Sequence, residues 1–521
     1  MSDHQVVIAG GGPVGLATAV ELGRRGIDVL VVEPRATVSH ARPRCKTINV
    51  RTMEHLSRWG IADDLRRRAP LTTDWSQDVV FCTSLAGREL SRFSGVLGLA
   101  YEGERFPELG QQAPQYVLEE LLRDTVRQLP TCTLETGWAL SKAQQDGTGV
   151  HVTLTDGDAA TRTVTCDYLV GCDGPRSSVR EQIGARYDGE HALRPNFGMV
   201  FEAPELWPDV RHGPAVQYWV LNAACPALLG PIDTSGTWWM IAFGVDRETG
   251  ERTARDLIDA AAGTPTDATV LSTDPWTARM QIADRMRDGR IFLAGDAAHL
   301  NPPFGGHGLN TGIGDAVDLG WKLAAVLQGW GGPALLDSYE AERRPVQELV
   351  IQEATANMAN TSAELMDDGL DVEGPLGDSA RQAADKRIQA TKAAEFHALD
   401  LVLDVSLDSS PLISHGADRV AGSRLPHAQL DSGSLYDRLG TGFTLLCLTQ
   451  DARTGVTPLT EAAAAAGVPL TVVDLGDAGL RSRYGADLVL VRPDQYVAWA
   501  GDRLPAADQV LARVTARAGA A

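Results

Sequence analysis

The sequence has no apolar run long enough to cross a bilayer, so a helical membrane protein is not expected. Nor has it a surplus of positive charge: 47 Lys and Arg stand against 68 Asp and Glu, a net charge of −21. Such a surface repels nucleic acid and anionic lipid, so neither is expected as a partner. It lacks any C-x-x-C pair. Its seven cysteines are scattered and odd in number, which argues against a disulfide framework and a zinc site. No metal is therefore expected, and a reducing, cytoplasmic setting is. The opening "MSDHQVVIAGGG" has no basic segment ahead of an apolar one, so no signal peptide is expected. No internal repeat is visible. What is present is an ordinary globular composition, 44% hydrophobic and 22% charged, over 521 residues. That length is too great for one core and implies roughly two to four domains.

Glycine is plentiful and placed. "QVVIAG" (5–10) reads as a buried parallel strand, "GGGPVG" (10–15) fits G-x-G-x-x-G, and "PVGLATAVELGRRG" reads as the helix that follows. "DVLVVE" (28–33) is a second strand ending in Glu33. In this pattern Gly10 makes the tight turn and Gly12 lets backbone approach a pyrophosphate. Gly15 lets helix and strand pack closely, and the helix opening at Pro13 presents its positive end to the phosphates. A carboxylate about 20 residues further on accepts from ribose hydroxyls and repels a 2′-phosphate, so this site should take FAD or NAD rather than NADP.

Two distant stretches favour FAD. "CDYLVGCDGPRSSVR" (166–180) is a strand followed by Asp173 and a basic, hydroxyl-bearing turn. "IFLAGDAAHLNPPFGGHGLN" (291–310) is a buried strand, then Asp296, two prolines and a glycine-rich loop, leading into a helix with apolar spacing. NAD needs no second strand-end acid. FAD has a ribityl chain, and a carboxylate such as Asp296 at a strand's carboxyl end suits its hydroxyls. Asp173 is read either as a cofactor contact or as a structural turn residue.

Together these three motifs resemble the FAD-dependent aromatic hydroxylases, the single-component NAD(P)H-using flavin monooxygenases similar to para-hydroxybenzoate and phenol hydroxylases. The resemblance runs over roughly residues 1–345. One departure is His307, where many relatives carry Gln or Lys. The resemblance implies non-covalent FAD, NADPH or NADH as co-substrate, O2, and hydroxylation of an electron-rich aromatic ring through a flavin C4a-hydroperoxide. The implied substrates are phenols, hydroxypyridines or polyketide-type aromatics. It also implies that Arg42 and Arg44, in "ARPRCKTINVRTMEHLSRWG", meet the pyrophosphate or nicotinamide nucleotide, as the planar guanidinium donors would suit. Gln115 corresponds to a glutamine that contacts FAD. Gly308, Leu309 and Asn310 correspond to a helix start facing the flavin N1–C2=O edge. Pro303 corresponds to a proline whose backbone carbonyl lies near the substrate. No side-chain base is identified; His299 and His307 are read as structural.

The resulting fold class is α/β: a Rossmann-like FAD-binding domain in three pieces (1–74, 105–185 and 277–345), an inserted antiparallel-sheet substrate domain (75–104 and 186–276), a helical connector (346–400) and a thioredoxin-like C-terminal domain (401–521). "PAVQYWVLN" (214–222) and "GTWWMIAFGVD" (236–246) read as strands of the insert. One face of each should border the pocket, with Gln217, Trp219, Trp238 and Met240 as the substrate candidates. The alternating sets Tyr218 and Val220, and Trp239, Ile241 and Phe243, remain open, because strand period alone does not choose a face. In the last domain Cys447 is the only cysteine, so dithiol chemistry is not expected. A small aromatic substrate is the expected partner, with a homodimer left open. A Baeyer–Villiger oxygenase on the same scaffold is the alternative activity, and a non-catalytic FAD-binding sensor the alternative class. A halogenase is disfavoured, since "TWWMIAF" does not match W-x-W-x-I-P.

Overall fold

The computed structural model describes residues 2–42, 46–101, 103–359, 362–414 and 420–517; Arg44 lies outside them. Three sheets organise the chain. The first grows from strand His4–Ala9, whose Val6 to Ala9 are at most 1% exposed. A continuous apolar run is what a strand covered on both faces requires. It pairs in parallel with Val29–Glu33 on one side and Thr161–Gly171 on the other. Cys132–Thr136 extends the first flank and Ile291–Leu293 the second, both in parallel. Helix Pro13–Gly23 crosses this sheet and packs against helix His307–Leu327. Because the strands run the same way, their carboxyl ends share one edge. Gly10, Glu33, Asp173 and Asp296 all stand at that edge, where open α/β sheets bind ligands.

The second sheet has eight strands, drawn from residues 79–93, 187–243, 269–283 and 299–300. It is antiparallel except that Gln217–Val220 runs parallel to Val79–Cys82. Those two strands come from separate stretches of chain, so no hairpin forces them to run oppositely. Helix Arg247–Ala262 packs on one face of the sheet, sealing Tyr218, Val220, Trp238, Met240 and Ala242 into a core. The other face, with Trp219, Trp239 and Phe243, turns toward the first sheet and joins Phe304 and Phe396 in another core. Strand His299–Leu300 pairs with Gln281 and Ile282, so the loop after Asp296 is stitched to this roof.

The third sheet orders Leu470–Asp474, Phe443–Cys447, Leu488–Val491 and Val497–Gly501, with one parallel and two antiparallel pairings. This is the thioredoxin-like arrangement. Cys447 is buried within it, without another cysteine beside it in the sheet. Helices Ser338–Met358 and Pro375–Phe396 run between the first and third sheets in sequence, and Phe396 packs on Phe81, Phe93 and Trp219. Among the described residues, no helix is long and apolar enough to cross a membrane.

Candidate active site

A cavity of about 800 Å³ lies between the carboxyl edge of the first sheet and the inner face of the second. Its narrow chemistry begins at the glycine turn. Gly10 has φ +106°, and a Cβ there would collide with the Cys172 carbonyl. A Cβ on Gly15 would collide with the Gly10 carbonyl, so this glycine lets helix Pro13–Gly23 sit close to its strand. Gly12 differs: a Cβ on it would meet nothing within 4 Å, because that side opens into the cavity. The fit to a pyrophosphate is therefore geometric. Bare backbone faces the space, and Pro13 starts the helix whose free amides point there.

Glu33 is 3% exposed and borders the cavity. Its Oε2 accepts from the Gly11 amide at 2.8 Å; its Oε1 accepts from the Arg35 amide and Nε at 3.0 and 2.7 Å. It thus also latches the glycine turn, a second duty that sequence spacing did not disclose. Gln115 begins helix Gln115–Gln128 and borders the same space. So does Arg42, which bridges to Asp274 of the second sheet at 3.1 Å.

At the other end, Asp173 holds a turn and borders the cavity. Its Oδ2 accepts from the Ser178 amide and hydroxyl and the Val179 amide, at 2.7, 3.1 and 3.2 Å. Its Oδ1 is buried beside the cavity with no partner. Asp296 follows strand Ile291–Leu293 with an exposed side chain on the cavity, and its carbonyl accepts from the Tyr187 hydroxyl. The loop then turns through Gly305 and Gly306 at φ +80° and +68° before helix His307–Leu327 begins. Pro303, Gly308 and Leu309 border the cavity, and a Cβ on Gly308 would again meet nothing within 4 Å.

Asn310 has a different place from the one expected of a cofactor contact. Its Nδ2 donates to the Thr47 and Gly306 carbonyls, and its Oδ1 accepts from the Asn49 amide and Thr52 hydroxyl. With its amide spent on the chain, its side chain ties the helix start to segment 47–52.

Under the loop lies Asp315, which sequence reasoning missed because it sits within an apolar helical stripe. It holds the Gly295 amide at 3.1 Å, His299 Nε2 at 2.7 Å, Arg343 Nε at 2.8 Å and Gln347 Nε2 at 3.0 Å. Burial opposes its ionisation, but His299 and Arg343 outweigh burial and hold its carboxyl down to about 2. His307 is buried and burial alone lowers it to about 4, so it is neutral near pH 7.

The sheet wall is aromatic and aliphatic. Gln217 borders the cavity; Met240 reaches its edge but packs in the helix-covered core with Trp238. Trp219 lies one layer behind, stacked 5.5 Å from Phe81 with Lys392 Nζ 4.4 Å above its ring. Trp238 is on the opposite face, packed 4.6 Å from Trp207 in the helix-covered core, and is not a wall residue. Its neighbours Trp239, Ile241 and Phe243 take the wall instead. The choice of face follows from helix Arg247–Ala262, which covers one side of the strand, and no pattern within residues 237–243 carries that information. Lys46 and Asn301, also missed, border the cavity as well.

A glycine turn, three strand-end carboxylates and a sheet roof around one cavity define an enzyme built to hold a dinucleotide against a second, aromatic-lined compartment. The family comparisons agree. The FAD binding domain profile matches residues 3–354, and that of the aromatic-ring hydroxylase C-terminal region matches 418–521. Aklavinone 12-hydroxylase of Streptomyces purpurascens is 33% identical, covering 97% of each chain. The FAD-dependent monooxygenase apdD of Emericella nidulans is 32% identical over 98% of this chain and 90% of its own. The rebeccamycin biosynthetic enzyme RebC, solved with reduced flavin, superposes with a TM-score of 0.89 at 35% identity, covering 99% of each chain. The chain belongs to the FAD-dependent aromatic-ring hydroxylases and is a flavin-dependent monooxygenase of aromatic rings.

Proposed function

We propose that this enzyme hydroxylates a polycyclic, polyketide-type phenol in the cytoplasm, with NADPH or NADH as reductant and O2 as oxidant. The observation that carries the reading is the cavity itself: a cofactor-sized cleft opening onto a wall of Trp239, Ile241, Phe243 and Leu228 that suits a flat aromatic ligand. Relatives named as polyketide and aklavinone hydroxylases support the polyketide-type substrate, and relatives named for a nitrocatechol and a dichlorophenol make single-ring phenols the comparison in the test. Bound FAD supplies the oxygen-activating chemistry; the chain's residues position and enclose it. Gly12 and the start of helix Pro13–Gly23 receive the pyrophosphate, Glu33 a ribose hydroxyl, and Asp296 the ribityl chain. The free amides of Gly308 and Leu309 at the helix start would meet the flavin ring and stabilise negative charge on it. The Pro303 carbonyl orients the substrate hydroxyl. Arg42, Gln115 and the free Oδ1 of Asp173 complete the cofactor contacts.

The test is coupling. NAD(P)H oxidation is measured with a panel of phenols, hydroxypyridines and polyketide aromatics, and product is identified by mass and position of the new oxygen. Ring hydroxylation of a fused aromatic is expected; a lactone product would replace the reading with Baeyer–Villiger chemistry. In Gly308→Val the new methyl groups enter the cavity where nothing now stands within 4 Å. The variant should keep its fold yet consume NAD(P)H with hydrogen peroxide release and little product. A product-to-NAD(P)H ratio equal to wild type, at equal FAD content, removes Gly308 from the flavin contact.

A further inference from the structure

Lys46 is a buried cation without a buried anion. The residue is 7% exposed and borders the cavity. Its Nζ donates to the Pro231 carbonyl at 2.8 Å and lies 3.5 Å from the Val216 carbonyl, leaving one of three N–H groups uncommitted. The ammonium also stands 4.8 Å from the centre of the Trp239 ring. Among the described residues, no carboxylate answers it. Burial alone pushes it down to about 7, with no opposite charge to restore it. Other buried lysines of this chain are treated differently: Lys322 has Asp318 and Glu342, and Lys392 has Glu395.

A second donor stands beside it. Trp239 is 8% exposed and borders the cavity, and its indole Nε1 is buried with no partner. Gly230, opposite Trp239 in the sheet, makes the arrangement possible. A Cβ on Gly230 would come within 2.6 Å of the Val216 carbonyl and 3.1 Å of Trp239 Nε1. The missing side chain thus leaves room for the indole edge of Trp239 beside the strand, with the ammonium over its ring and both residues bordering the cavity.

An uncompensated buried ammonium and an unsatisfied indole N–H each cost stability. Both costs are relieved by one ligand feature, an oxygen carrying negative charge. We propose that Lys46 and Trp239 form an anion-recognition subsite in the substrate compartment, and that the substrate is an acidic aromatic presenting an ionised carboxylate or phenolate to it. The proposal rests on the hydroxylase reading and narrows its substrate class. The ammonium attracts the anion, the indole N–H orients it, and the flat wall of Ile241 and Phe243 holds the ring beside the loop of Pro303.

The experiment uses FAD-loaded enzyme and needs no turnover. Three probes are titrated while the flavin absorption spectrum is followed: 1-hydroxy-2-naphthoate, alizarin and the neutral 1-hydroxy-2-naphthamide. Wild type should bind at least one of the two anions about tenfold or more tighter than the amide, as a charge-assisted hydrogen bond implies. Preference for the naphthoate identifies a carboxylate ligand, and preference for alizarin a phenolate. In Lys46→Met the preference should vanish while amide binding stays as in wild type; in Lys46→Arg it should partly return. A Met variant that keeps the preference overturns the proposal. So does a wild type that binds neither anion better than the amide. A Met variant that shifts only the flavin reduction potential, with anion preference intact, also overturns it and reassigns Lys46 to the cofactor. Because binding is read from the flavin spectrum, failure here is distinct from failure to hydroxylate.

Discussion

Two buried polar regions of this molecule are built on opposite rules. Where the first sheet's helices meet the C-terminal domain, Asp318, Lys322, Glu342, Arg492 and Asp494 form one cluster in which the charges answer each other. Lys322 donates to Asp318 and Glu342 at 2.8 and 2.7 Å. Arg492 reaches Glu342 twice, Asp318 and Asp494, and Trp321 Nε1 donates to Asp494 at 3.1 Å. Three carboxylates face two cations, and burial pushes the Asp318 carboxyl well above its ordinary range. These three carboxylates are close enough to hold a metal ion, but the ammonium and guanidinium already occupy that role. In the cavity the rule reverses. Among the described residues, Lys46 has no counter-charge, and Asp173 Oδ1, Asn301, His307 Nε2 and Trp239 Nε1 have no partner. Complete pairing marks a joint that holds two domains together, and incomplete pairing marks a surface shaped for something else to complete.

The contrast is broken most directly at the joint. Arg492→Met should leave Glu342 and Asp494 facing too little positive charge and cost about 3–5 kcal/mol, the range for breaking a buried pair. Urea unfolding measures this; a loss within experimental error would mean that the cluster does not hold the domains. At the cavity, the informative variant is Asp296→Ala. It should weaken FAD by about 1–3 kcal/mol, because a cofactor hydroxyl loses its acceptor. Titration with FAD gives the number, and unchanged affinity would remove Asp296 from the site.

Asp315 lies between the two cases, fully paired yet underneath the cavity loop. Its folded value of about 2 is below the ordinary 3.8, so its stabilisation is present above about pH 4 and is lost as pH falls toward 2. Asp315→Asn should flatten that part of the acid-unfolding curve, and an unaltered curve would deny it the role. The effect of opposite sign belongs to Lys46. Its folded value of about 7 lies below the ordinary 10.5, so the unfolded chain binds the extra proton between those limits and stability rises with pH across that window. Lys46→Met should remove this slope and melt higher than wild type near pH 6–7, since an apolar isostere replaces an unpaired buried charge. A lower melting temperature there would show that the ammonium is structural.

Much of this was legible in one dimension. The glycine turn, Glu33, Asp173 and Asp296 were readable because each follows a strand of recognisable apolar character, and a parallel sheet must carry all its strand ends to one edge. The helix after the Pro/Gly loop was readable from its apolar spacing. The strands of the C-terminal domain were readable from short β-branched runs, and their thioredoxin-like arrangement from a resemblance to the larger aromatic hydroxylases.

The rest needed the third dimension, for reasons that differ residue by residue. Trp238 and Trp239 are adjacent, chemically alike and on opposite faces; only helix Arg247–Ala262, packed on one side, decides which borders the cavity. Asn310 reads as part of a cofactor loop, but its amide is consumed by Thr47, Asn49, Thr52 and Gly306, three of them more than 250 positions away. Lys46 lies in a stretch read for its arginines, and its meaning comes from two carbonyls of the second sheet. Local sequence determined which backbone would turn, pair and coil, because those preferences act over a few residues. The tertiary structure decided which polar groups would be left without partners, because satisfaction of a buried group depends on atoms that only packing brings within 3 Å or so.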